Sequence, residues 1–340
     1  MVDLEQQRIL VTGAAGFVGA NLVRALVHRG ALVHALVRAS TSLWRLRDVQ
    51  EQLAVHVCDL TERDRLTRTI ADIEPRVVFH LAATRQARTP AERLSTLTDN
   101  VLATHNLLEA SAASTRPRFI HAASSMEYGH QHRPLHEALP LNPVTFPGVT
   151  KAASTLIALW FAENLGLPLT SLRIFSVYGY WEGHQRLLPT TILKVLRDEP
   201  LSLTSPGLRR DFVFVEDVVE ACLLAVHAEE TDGEVINVGS GTQHCNEDVV
   251  SLIQTLMDRR IEVRVGAYAS HASDSTHWVA DNTKALRLLG WRPAHSLRQG
   301  LEKMISWFRD HAHLYPKRLG RPELEHKEPG TDLGRHVPRR

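Results

Sequence analysis

Residues 8–19, RILVTGAAGFVG, constrain this chain more than any other stretch. Arg8–Thr12 is a short apolar run ended by glycine, which suits a buried parallel strand. Phe17–Arg29 follows with helical spacing, Val18, Leu22 and Leu26 sharing one face. Between them, Gly13, Gly16 and Gly19 punctuate a strand-to-helix turn. Small residues there let the backbone approach a pyrophosphate, and the first helical turn offers unpaired N–H groups and a favourable dipole. Alone, the spacing also fits a tight turn with nothing bound. Opening a βαβ unit, it favours a dinucleotide held by Gly13, Gly16, Phe17 and Gly19.

The rest of the first half alternates strand and helix. Strands are expected at Leu32–Val37, Leu53–Cys58, Val77–Leu81, Arg118–Ala122 and Leu169–Ile174. Helices are expected at Arg65–Ile73, Ala91–Ala113 and Thr150–Asn164. Such alternation implies a parallel sheet covered by helices on both faces. The second half is less regular. Helical spacing covers Gln185–Asp198, Glu247–Arg259, Asn282–Leu289 and Leu297–Ala312, with strands at Phe212–Val215 and Val235–Val238. The expected fold is therefore α/β: a Rossmann-type doubly wound parallel sheet with a smaller C-terminal substrate-binding lobe. Residues 1–175 form the NAD(P)-binding domain, with 211–240 returning to it. Residues 176–210 and 241–315 form the lobe, and 316–340 read as a polar, disordered tail.

Composition excludes several classes. A formal charge of +1 over 340 residues gives no reason to expect nucleic acid or an anionic membrane as partner. No apolar run approaches the roughly 20 residues of a membrane span. The opening MVDLEQQ lacks the apolar core of a signal peptide. Cys58, Cys222 and Cys245 form no CxxC pair, and the histidines form no HExxH motif, so neither a disulfide framework nor a metal site is expected. A reducing cytoplasm fits.

The end of the second strand bears on cofactor choice. An acidic residue there would bond the adenosine ribose and favour NAD. The chain has Val37, then Arg38 and Ser40. A guanidinium suits a 2′-phosphate, so NADP(H) is the expectation and NAD the alternative. The bland reading is an arginine solvated beyond a strand end.

Further motifs follow in order: CDL (58–60), FHLAA (79–83), HAASSMEYG (121–129), RIFSVYG (173–179), RDFVFVEDVV (210–219) and NVGSG (237–241). With GAAGFVG, this set resembles the signatures of extended short-chain dehydrogenases that modify nucleotide sugars. The resemblance implies a nucleoside-diphosphate-sugar ligand and adenine contacts from Asp59 and Leu60. It implies a cofactor wall at Leu81, Ala82 and Ala83, a structural Asn100, Lys151 on the nicotinamide ribose, and Arg210 on a phosphate or nucleoside. Ser124 falls where the family places a hydroxyl that bonds the reacting sugar oxygen, its bland alternative being a loop cap. Ser125 and Met126 fall beside it as sugar contacts. Leu187–Pro189, with Leu188 and Pro189 at its core, resembles the start of the lid that grips base and diphosphate. Trp181 and His184 fall near the variable sugar pocket or pack a loop. Sugar dehydratases carry an acid where this chain has Met126, and methionine does no acid–base work. Glu127 stands one place along, where it can point away. The helices Ala91–Ala113 and Thr150–Asn164 carry apolar side chains on more than one face, including Leu156, Leu159, Trp160 and Phe161, so a homodimer is expected.

Residues 143–151, PVTFPGVTK, break the pattern. The family stretch resembles P-x-x-x-Y-G-x-[ST]-K, in which the lysine's charge lowers the phenol pKa so that the tyrosine can carry the alcohol proton. Here Pro147 stands at the tyrosine position, with Gly148, Thr150 and Lys151 in place. Three readings follow. A substitute donor works instead: Ser124, Thr145, Tyr178 or water. The site does different chemistry. Or catalysis is lost and a sugar-nucleotide-binding protein remains. The expectation is NADPH-linked reduction of a 4-keto sugar nucleotide, with 4-epimerisation around a retained cofactor second, catalytic candidates being Ser124, Lys151 and Tyr178.

Overall fold

The computed structural model describes residues 4–267 and 274–317. Most of the expected tail, 318–340, lies outside them, as do 268–273. Seven parallel strands form the central sheet, in the order Glu234–Val238, Leu169–Ile174, Arg118–Ser124, Val77–His80, Arg8–Thr12, Leu32–Val37 and Leu53–Val57. The order reverses between Arg8–Thr12 and Val77–His80. Such a reversal opens a crevice at the carboxyl ends of the strands, where ligands of doubly wound sheets bind.

Side-chain alternation along each strand builds two cores. Ile9 and Val11 pack on one face with Phe79 and Ile120, under the helices Phe17–His28 and Val215–His227. Leu10 packs on the other with Val78 and Phe119, under Arg63–Ile73, Ala103–Ala113 and Phe146–Leu165. These strands are apolar throughout because both faces are covered.

Two helices depart from the sequence reading in ways that matter for function. The expected helix Ala91–Ala113 is interrupted by a π-helical turn at Thr98–Leu102, between Pro90–Leu97 and Ala103–Ala113. π turns recur at functional sites because they re-aim a side chain. Here the buried Asn100 is turned toward a neighbouring loop. Its Oδ1 accepts the Thr84 N–H at 2.7 Å, and its Nδ2 donates to the Thr84 carbonyl at 2.8 Å and Thr150 Oγ1 at 2.9 Å. The second helix starts at Phe146 rather than Thr150. Thr145 caps it by accepting the Gly148 N–H, and Pro147 sits in the first turn, where a missing N–H costs nothing.

The segment 211–240, expected to return to the first domain, begins elsewhere. Arg209–Phe214 instead lies in a three-stranded sheet between Ser176–Tyr178 and Gln243–Cys245. Only the helix Val215–His227 and the strand Glu234–Val238 join the central layer. The second lobe wraps Leu187–Arg197, Asn246–Leu256 and Leu297–His311 around Tyr178, Phe212 and Phe214.

Leu94, Leu97 and Leu102 remain exposed on one helical layer, and Val149, Leu156 and Trp160 on the adjoining helix. No described helix is long and apolar enough to cross a membrane.

Asn100→Ala removes three hydrogen bonds and leaves buried polar groups unpaired. It should cost about 2–4 kcal/mol in urea unfolding. A loss below about 0.5 kcal/mol would show that this asparagine does not hold the loop.

Candidate active site

The crevice at the strand reversal holds a cleft of about 390 Å³. Gly13 turns the chain there with φ +69°, and a Cβ on it would lie 2.6 Å from the Ala82 nitrogen. Only glycine lets the two strand ends close this tightly. Gly16 N–H donates to the Gly13 carbonyl at 2.9 Å. Gly19 does not line the cleft. A Cβ on it would strike the Gly13 carbonyl, so its role is to let the helix sit against the turn. Arg38, Ser40, Asp59, Leu60, Ala82 and Ala83 line the cleft together. Phe17 and Leu81 line the two cavities that adjoin it. Asp59 is fixed by the backbone N–H and hydroxyl of Thr61, at 2.9 and 2.8 Å. A cradle that a single Cβ would fill, at a helix N-terminus, fits a dinucleotide.

Three cleft residues gave no signal in the sequence. Asp99 faces the cleft and accepts from Arg38 Nη1 at 3.0 Å and from Thr84 Oγ1 at 2.6 Å. A carboxylate therefore does stand beside Arg38 in the cleft, supplied by the π-helical turn rather than by the second strand. Trp44 and Arg45 close the opposite side. Arg45 Nε donates to the Trp181 carbonyl at 2.8 Å and Nη1 to the Ala15 carbonyl at 3.3 Å. Its guanidinium lies 4.4 Å from the centre of the Trp44 ring, which packs edge-on against Tyr315. Arg45 thus ties the glycine turn to the second lobe.

A neighbouring cavity of about 310 Å³ brings together Ser124, Ser125, Met126, Pro147, Lys151 and Arg210. Ser124 ends a central strand, and its Oγ accepts the Met126 N–H at 3.2 Å, so it caps the turn while facing the cavity. Lys151 Nζ donates to the Ala122 carbonyl at 2.7 Å. Burial pushes its pKa down to about 8, Arg85 adding to the shift and Glu127 opposing it. Arg210 is held by Asp274 at 3.1 Å, with its guanidinium 5.7 Å from the Trp278 ring centre.

Glu127 does point away from the cavity. Fully buried, it pairs with Arg173 at 2.9 Å and accepts from the Ser124 N–H and the Thr155 hydroxyl. It fixes the turn that presents Ser124. Arg85 and Arg186 enter the cavity unannounced by any motif. They also line a third cavity of about 510 Å³, with Arg45, Glu182 and His184. Chiefly Arg186, then burial, pushes the Arg85 pKa down to about 10. The buried Glu182 carboxyl is pushed up to about 7 by burial.

Tyr178 requires correction as a candidate donor. It lies outside the cavity, in the core of the second lobe, against Phe212 and Phe214, and its hydroxyl donates to the Leu297 carbonyl at 3.3 Å. Burial drives its pKa far upward, away from acid–base use. Leu188 and Pro189 are likewise buried under the second lobe rather than exposed to the cavity. Thr145 is occupied as a helix cap. Trp181 packs on Trp44 and Trp307. Among the described residues, no three metal-ligating side chains cluster.

Similar proteins fit this arrangement. A dTDP-glucose 4,6-dehydratase of Neisseria meningitidis serogroup B is 29% identical, over 89% of this chain and 94% of its own length. The crystal structure of a UDP-glucose 4-epimerase from Thermotoga maritima with UDP-glucose is 28% identical. It superposes with a TM-score of 0.81, covering 89% of this chain and 99% of its own. A UDP-glucuronic acid 4-epimerase from Bacillus cereus, in complex with UDP-glucuronic acid and NAD, gives the same identity, TM-score and coverage. The NAD dependent epimerase/dehydratase family matches residues 9–239, spanning the glycine turn, the Ser124 and Lys151 cavity and the last central strand. On that match and the shared fold, the chain belongs to the NAD dependent epimerase/dehydratase family of enzymes.

Proposed function

We propose that this enzyme holds NAD and a nucleoside diphosphate sugar, and inverts the sugar's 4-hydroxyl through a transient ketone. The observation that carries the reading is the convergence of Arg85, Arg186 and Arg210 on the cavity of Ser124 and Lys151. No carboxylate lines that cavity among the described residues. Guanidinium groups crowded enough that Arg186 depresses Arg85 suit a diphosphate, whose charge relieves the repulsion. With the diphosphate so held, the attached sugar reaches toward Ser124.

Bound NAD supplies a two-electron acceptor and donor at its nicotinamide. The protein's part is to position and to handle protons. Ser124 offers a hydroxyl to the reacting sugar oxygen, held in register by the Glu127–Arg173 pair beneath its turn. Lys151 brings a cation beside it. Dehydration, by contrast, needs an acid and a base around the sugar. Met126 occupies the acid position and Glu127 is committed to Arg173, which weighs against elimination.

Reduction with NADPH, the first expectation from sequence, requires the cofactor to leave after every turnover. Two features favour a resident NAD instead. The Arg45 and Trp44 clasp joins both lobes across the phosphate end of the cleft. Asp99 faces the cleft beside Arg38, so a 2′-phosphate there would meet a carboxylate. NAD in the homologous Bacillus cereus structure supports the same choice.

The protein incubated with a panel of UDP- and dTDP-hexoses should form the 4-epimer of at least one, read by NMR. NAD should co-purify with it, without stoichiometric accumulation of reduced cofactor. Net consumption of NADPH with a 4-keto sugar nucleotide would restore the reductase reading. A panel-wide failure despite tight sugar-nucleotide binding would leave a binding protein.

We propose further that the exposed leucines of Pro90–Leu102 and the Val149, Leu156 and Trp160 face are covered by a second copy. Light scattering at micromolar concentration should give a dimer, and Trp160→Glu with Leu156→Glu should give a monomer. A wild-type monomer contradicts this.

A further inference from the structure

The missing phenol leaves the sugar cavity with few groups able to exchange a proton. Ser124, Ser125, Thr84 and Ser176 line it. Their hydroxyls lose a proton only far above neutral pH, and three already have partners. Ser124 accepts the Met126 N–H, Ser125 accepts from the Trp278 ring N–H, and Thr84 donates to Asp99. The cavity's arginines stay protonated. Lys151 is the one described lining residue whose two protonation states are both accessible near neutral pH. Pro147 stands one helical turn before it and lines the same cavity, so the compact ring leaves open the space a phenol would fill.

We infer that Lys151 is itself the proton acceptor and donor for the sugar hydroxyl, directly or through Ser124. The inference rests on the proposed sugar-nucleotide reading. The sugar O–H bond breaks, its proton passes to the Lys151 amine, and the C=O bond forms as the carbon-bound hydrogen leaves with both electrons to NAD. The ammonium returns the proton when the ketone is reduced. The Ala122 carbonyl at 2.7 Å holds the amine in place without neutralising it.

The groups around Lys151 are set for this role. Arg85 faces it from the loop after Val77–His80 and raises the cost of a second cation. Arg186 and Arg210 add positive charge from the second lobe. Glu127, the carboxylate acting on Lys151, favours the ammonium, but it is shared with Arg173 at 2.9 Å. His80 and His121 lie on the strands beneath it. Burial, and then the Lys151 charge, holds both neutral, His80 down to about 3. His80 is further fixed between Thr12 and Thr104. Burial is thus what favours the free amine, with Glu127 opposing it and Arg85 partly offsetting that opposition.

Two experiments separate this inference from the function it rests on. In the first, lysines are acylated across a pH series and the Lys151 peptide is quantified by mass spectrometry, with no substrate added. Lys151 should titrate near pH 8, and a midpoint in the ordinary range near 10.4 would overturn the proposal. This readout stands even if no sugar nucleotide is turned over. In the second, turnover should rise with pH through about 8, and Lys151→Arg should keep NAD binding while losing about 1000-fold in rate. Pro147→Tyr in the Lys151→Arg background should recover activity, since a fixed cation beside a phenol lowers its pKa. Spectrophotometric titration of that tyrosine should show ionisation below about 10. Lys151→Arg with wild-type rate and an unchanged pH profile would overturn the assignment.

Discussion

The approach of the Gly13 turn to Ala82 is the constraint on which the rest of this structure depends. Two parallel strands part at the sheet's reversal, and their ends must close to within a distance that excludes even a Cβ. That closeness sets the floor of the cofactor cleft and aims the first helix at it. It also places the loop of Ala82, Ala83 and Thr84, from which Arg85 enters the sugar cavity. Asn100 then pins Thr84 by both amide atoms and reaches Thr150 on the helix that carries Lys151. Cofactor cleft and sugar cavity are therefore one linked construction, from glycine turn to lysine.

A second support lies below the sugar cavity. The turn carrying Ser124 is braced from inside by Glu127, whose charge is met by Arg173 and whose other oxygen takes the Ser124 N–H. Arg173 also lies over the Tyr128 ring, and Tyr128 donates to Asn237 on the last central strand. A buried ion pair gains little over apolar packing, but losing one partner strands a charge, which typically costs about 3–5 kcal/mol. Such a network holds the serine still, and it commits the carboxylate beside the Ser124 turn to Arg173. The same residues explain both the rigidity of the site and the weakness of a dehydratase reading.

The first half of the chain was legible because its signals are local. A strand of five residues, a glycine turn and an amphipathic helix each carry their own periodicity, and all seven central strands fall, within two residues at either end, where the apolar runs put them. The motif that led to Ser124 and Lys151 is likewise continuous in sequence. What was not legible is set by tertiary partners. Asp99 meets Arg38 only because a π turn rotates it into the cleft, and nothing in its neighbours announces that. Arg85, Arg186 and Arg45 look like ordinary surface arginines until two lobes are placed face to face. Tyr178 sits in a motif beside the site, yet the strand Ser176–Tyr178 turns it into the second lobe. The helix expected from Thr150 begins at Phe146, because the first helical turn tolerates both Pro147 and Gly148.

The central claim is that a sugar nucleotide lies with its reacting oxygen against Ser124 and Lys151, in the space left by Pro147. A crystal structure with NAD and a UDP-hexose tests it most directly. The account predicts the diphosphate among Arg85, Arg186 and Arg210. It also predicts the sugar 4-oxygen within about 3 Å of Ser124 Oγ or Lys151 Nζ, the reach of a proton-transferring hydrogen bond. A sugar whose 4-oxygen meets neither group, or a diphosphate bound away from these arginines, would contradict it.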